Sequence, residues 1–159
     1  MKAASVSEIK QVLKAKSSAD LMELCLRLIR YKKENKELLT YLLFEADDID
    51  AYISSIKAEM DEAFETVHKT NLYFAKKTLR KILRVATKYV RYTGSDTVEA
   101  ELFIYFCTKL KASGIPYKKS TALVNIYNAQ LKKAKEAIAG LHEDLQYEYL
   151  GQVQSLDKI

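Results

Sequence analysis

The first glycine in this chain is Gly94, and its one proline is Pro116. Only Gly114, Gly140 and Gly151 follow, each standing alone. Folds built on sheets reverse direction often and draw on both residue types to do so. A chain of 159 residues with four glycines and one proline is left with few, long helices. The expectation is an all-α fold, a single compact bundle or irregular array of about seven helices with short connections. With 48% hydrophobic and 30% charged residues, the composition is that of a folded chain. No low-complexity segment or linker divides it, so residues 1–159 read as one domain.

Helix start and stop signals punctuate the pattern. Ser5 and Glu8 have capping-box spacing ahead of Ile9, Val12 and Leu13. Ser17 or Ser18 opens a second helix with Leu21, Leu24, Cys25 and Leu28 on one side and Met22, Leu26 and Ile29 on another. Apolarity on most faces predicts that this helix is central. A polar break at residues 32–35 precedes a short helix bearing Leu38, Leu39, Leu42 and Leu43. Asp47 or Asp48 can cap the next helix, whose stripe runs Ile49, Ile53, Ile56, Met60, Phe64 and Val67.

Asn71 can cap a helix reaching Tyr92, with Leu72, Ala75, Leu79, Ile82, Ala86 and Tyr89 or Val90 inward and Gly94 as a left-handed stop. Asp96 and Glu99 resemble another capping pair, opening a helix over about 97–112. Its centre, Leu102 to Cys107, would also suit a buried strand; the cap and the stop at Gly114-Ile115-Pro116 favour helix. Ser120 begins a long pattern through Leu123, Ile126, Leu131, Ala134, Ile138, Leu141, Leu145 and Tyr149, which Gly140 can kink or split. Residues beyond about 153 are expected to fray.

Charge is segregated along the chain. Glu45, Asp47, Asp48, Asp50, Glu59, Asp61, Glu62 and Glu65 are opposed within 45–65 by Lys57 alone. Residues 69–92 then carry Lys69, Lys76, Lys77, Arg80, Lys81, Arg84, Lys88 and Arg91 and no acid. On a helical wheel starting at Leu72, the residues Lys77, Arg80, Arg84, Lys88 and Arg91 fall between about 80° and 160°. Leu79, Ala86 and Val90 fall between about −40° and 0°. The basic stripe is about 20 Å long, and Tyr73 heads it. Phe74, Val85 and Tyr92 gather near 200–220°, a second apolar surface.

Three readings of the stripe stay open. It can be a solvated face partly neutralised by the acidic helix before it. It can dock an acidic protein partner or another copy of the chain. It can contact the phosphate backbone of nucleic acid, a reading to which tyrosines interleaved with lysines at Lys88–Tyr92 and Tyr117–Lys119 add weight. No nucleic-acid-binding signature accompanies it.

Signals for chemistry are sparse. No glycine-rich phosphate loop or paired-cysteine motif occurs. Glu65 and His68 satisfy the E-x-x-H spacing once, with Asp61 on the same face, whereas carboxylate-bridged metal centres need it twice. His142, Glu143, Asp144 and Glu148 are the densest ligand-like group, but His142 and Glu148 are not aligned on a helix. Cys25 and Cys107 sit in apolar runs and read as reduced, buried thiols.

The N-terminus lacks a signal-peptide core, and the longest apolar run falls far below the ~18 residues that span a bilayer. A cytoplasmic, non-catalytic interaction or scaffold domain is therefore expected, without metal, cofactor or membrane. Its partner is expected to be a protein or a second copy, with nucleic acid as the alternative. Its contact residues are Tyr73, Lys77, Arg80, Lys81, Arg84, Lys88 and Arg91.

Overall fold

A computed structural model describes residues 1–157. Among them every regular element is helical, in eight α-helices with one wide π-type turn and one 3₁₀ turn. The chain divides into two compact units, Met1–Phe44 and Glu45–Ile159.

The first unit holds α1 (Val6–Lys14), α2 (Ser18–Tyr31) and α3 (Lys33–Thr40), followed by the wide turn Tyr41–Glu45. Ser5–Glu8 and Ser17–Asp20 form true capping boxes, each Ser side chain accepting from the N3 amide while the acid receives the Ser amide. Lys32 alone breaks α2 from α3, in extended conformation, and Asn35 Nδ2 donates to Leu28 O across the hairpin at 2.8 Å. No residue of α1, α2 or α3 is buried. The expectation that α2 is central is therefore wrong. All-round apolarity buries a helix only when neighbours surround it, and α2 packs chiefly on α3. Cys25, expected inside, is exposed.

The second unit holds α4 (Ile49–Glu65), α5 (Leu72–Thr93), α6 (Asp96–Ala112), α7 (Thr121–Ala139) and α8 (Glu143–Asp157), with the 3₁₀ turn Tyr117–Lys119 before α7. The ambiguous run Leu102–Cys107 is helical, and α6 takes the central place. It packs against α4, α5, α7 and α8 and buries residues on all sides, among them Val98, Leu102, Phe103, Phe106, Cys107 and Leu110. Phe106 meets Phe64 of α4 with ring centroids 5.5 Å apart. Its N-cap is Ser95, accepting from Val98 N, rather than Asp96. Asp48, Asn71 and Ser120 cap α4, α5 and α7 as expected.

Glycines stand at the ends of α5 and α7. Gly94 ends α5 at φ +61°, donating to Val90 O at 3.1 Å, a conformation open to residues without Cβ at little cost. Gly140 ends α7 and splits the long pattern into two helices; a Cβ there would lie 2.5 Å from Asp96 Oδ2. Across the break Gln146 Nε2 donates to Leu141 O at 2.7 Å and to Ala139 O at 3.2 Å, satisfying carbonyls that the helix end leaves free. Leu145, placed on the inner stripe from sequence, is exposed in the first turn of α8, whereas Tyr149 one turn on is buried. Residues 153–157 do not fray: Val153 and Leu156 are buried, and Tyr127 Oη donates to Leu156 O at 2.9 Å. Residues 158 and 159 lie outside the described residues.

Candidate functional site

The amphipathic phase of α5 orients its charges. Ala75, Leu79, Ile82, Leu83, Ala86 and Val90 are buried, which turns Lys77, Arg80, Lys81, Arg84 and Arg91 to solvent. Lys88 is half-buried, its ammonium 5.1 Å from the Tyr89 ring centroid. Tyr73 is 57% exposed at the head of the stripe, edge-on to Phe74, with Lys77 and Lys76 over its ring at 4.8 and 5.6 Å.

Asp61 and Lys57 of α4 are engaged with α6. Asp61 pairs with Lys109 of α6 at 2.8 Å and accepts the Tyr105 hydroxyl at 2.7 Å. Lys57 crosses to Glu101 of α6 at 2.6 Å, and Glu101 also accepts from Tyr149 Oη at 2.9 Å. These two ion pairs of α4 run to α6, while Tyr52 Oη of α4 donates to Tyr89 O of α5 at 3.5 Å. Among the described residues Arg80, Lys81, Arg84 and Arg91 form no ion pair.

The hydrogen bond from Lys109 holds the Asp61 carboxyl below the usual carboxylate range, helped by that from Tyr105. Partial burial, together with Asp61, pushes the Tyr105 phenol up to about 12.

Beside the stripe lies a feature that sequence reasoning registered only as stray apolar positions. Ile56, Met60 and Ala63 of α4 and Thr78, Ile82 and Val85 of α5 line an open groove of about 440 Å³. Glu59 and Glu62 form one rim and Lys81 the other. Val85 belonged to the second apolar surface seen on the wheel, but its companions serve elsewhere. Phe74 stacks with His68 at 5.5 Å, and Tyr92 meets Tyr89 at 6.2 Å. The groove needs one helix's edge to face another's, which no single wheel displays.

Several sequence candidates are used structurally. Tyr117 is buried and stacks on Tyr127 at 5.2 Å, so the Tyr117–Lys119 cluster offers no exposed ring. The helix α4 ends at Glu65, three residues before His68, so the E-x-x-H spacing does not become a shared helix face. Among the described residues no group of three His, Cys, Asp or Glu side chains could hold a metal ion. His142 Nδ1 accepts from Asp144 N at 3.4 Å in the turn before α8. The Cys107 thiol is fully buried and pushed up to about 12 by that burial, the opposite of what a nucleophile requires.

No helix among the described residues is long and apolar enough to cross a membrane. No known family model, curated protein or solved structure matches the chain.

Proposed function

We propose that this chain is a non-catalytic interaction domain that grips a protein partner through the exposed basic face of α5 and the groove beside it. The observation that carries this reading is that, among the described residues, Arg80, Lys81, Arg84 and Arg91 make no ion pair and stand next to an apolar groove. Unpaired cations give a partner's acids long-range attraction and register, while apolar burial supplies affinity. An amphipathic helix fits such a groove, with apolar residues at i, i+3, i+4 and i+7 on its floor. Acids on one flank of that helix would meet Lys77, Arg80, Lys81 and Arg84. Bases on the other flank would meet Glu59 and Glu62.

Binding of single-stranded nucleic acid is the second reading. It draws on the exposed Tyr73 ring with two lysines over it, an arrangement suited to base stacking beside phosphate.

One titration separates the two. A labelled amphipathic peptide with acids on one flank and a labelled single-stranded oligonucleotide are each titrated with wild type, Arg80→Glu/Arg84→Glu and Thr78→Arg. The protein-partner reading expects peptide binding to weaken by about tenfold or more in both variants. The nucleic-acid reading expects oligonucleotide binding that falls steeply with salt, is lost in the charge reversal and survives Thr78→Arg. Binding of neither probe at low salt removes both.

A further inference from the structure

We propose that α2 pairs with α2 of a second copy of this chain, antiparallel about a two-fold axis near its midpoint. The proposal concerns a different unit and a different face from the reading of α5 and does not rest on it.

The starting point is a unit with almost no interior, in which Tyr41 of the wide turn is the one buried residue. Its three helices bury no residue. Units near 40 residues usually need a disulfide, a metal or oligomerisation to hold together. This one has a single free thiol and, among the described residues, no group that could hold a metal.

Along α2, Leu21, Leu24 and Leu28 recur at three- and four-residue steps, the spacing of a coiled-coil seam. They are 36%, 41% and 58% exposed. The adjoining α3 packs on the side carrying Cys25, Leu28 and Ile29, and Leu21 and Leu24 lie outside the pocket formed there.

The charges beside the seam name the occupant. Asp20 and Glu23 stand in the first half of α2, Arg27 and Arg30 in the second, and all four line one shallow groove with Leu24 and with Lys16, which precedes the helix near Asp20. Asp20 closes the capping box with Ser17, but no ion pair within the described residues engages any of the four. A flank that is acidic then basic is complementary to itself when reversed. Setting Leu24 against the partner's Leu28 brings Asp20 and Glu23 within about one helical turn of Arg30 and Arg27 of the other copy. A parallel pair would set like charges together. A two-fold contact of this kind is self-complementary and closes at two chains.

The test uses three full-length proteins: wild type, an acidic form (Arg27→Glu/Arg30→Glu) and a basic form (Asp20→Arg/Glu23→Arg). Circular dichroism first confirms helical folding of each. Sedimentation velocity over 1–200 µM is expected to find wild type dimeric. Each variant alone should be at least about tenfold weaker in dimerisation. Their equimolar mixture should recover dimer.

A short bis-maleimide should link wild-type chains through Cys25, which flanks the seam, since Cys107 is fully buried. Wild type that stays monomeric throughout the range overturns the proposal. So does an acidic form that dimerises as tightly as wild type, or a mixture that recovers nothing.

Discussion

The Asp61 carboxylate on α4 lies 2.8 Å from the Lys109 ammonium on α6. This contact commits one acid of α4 to α6 rather than to α5. It also makes stability depend on pH. Asp61 is held below its ordinary value of 3.8 in the folded chain. Its contribution is therefore present above pH 3.8 and is lost as pH falls through the lower folded value. Thermal melts across acidic pH should show wild type losing Tm more steeply below that point than Asp61→Asn. Parallel curves would refute the assignment.

At the alkaline end the sign reverses. Tyr105 is raised from 10.0 to about 12, so its neutral form stabilises the fold below pH 10 and that contribution disappears as pH climbs through 12. Absorbance at 295 nm should show a late-ionising phenol that Tyr105→Phe removes. The same substitution deletes one partly buried hydrogen bond and should cost about 1 kcal/mol in urea melts near neutrality.

The two thiols should behave oppositely. Cys25 is exposed, whereas Cys107 is fully buried with its Sγ 3.7 Å from Tyr127 O. In dilute native protein one equivalent of an aromatic disulfide reagent should react, rising to two in denaturant. Two fast equivalents in the native state would contradict the burial of Cys107.

Phe106 anchors the interior of the second unit, fully buried against Phe64. Phe106→Ala should destabilise that unit by about 3–5 kcal/mol through lost transfer and cavity terms, and Phe106→Leu by clearly less. Chemical denaturation measures both; near-equal values would mean the cavity is not rigid.

What the sequence made legible follows from periodicity and caps. The α5 phase was readable because Leu79 and Ile82 recur on one side while Arg80 and Arg84 recur on the other, and its ends carry Asn71 and Gly94. Those signals are local to one helix. Burial of α2 was misjudged because all-round apolarity records that a helix wants neighbours, not which neighbours it has. Its leucines and those of α6 look alike in sequence. The unit boundary at Phe44–Glu45 coincides with the start of the acidic segment, but no glycine, proline or linker composition marks it as a break between units. The groove between α4 and α5 needed the pairing of Met60 with Val85, which lie 25 residues apart. The role of Gln146 in closing the α7 end depends on a helix break that periodicity alone does not place.

The proposed function requires that the α5 face and its groove form one binding surface. Amide chemical-shift mapping of the isotopically labelled chain during titration with the acid-flanked amphipathic peptide tests this most directly. The expected result is perturbation concentrated on residues 59–63 of α4 and 77–85 of α5, fading as salt rises. Saturating peptide that leaves those segments unmoved, or shifts gathered on α7 and α8 instead, would contradict it.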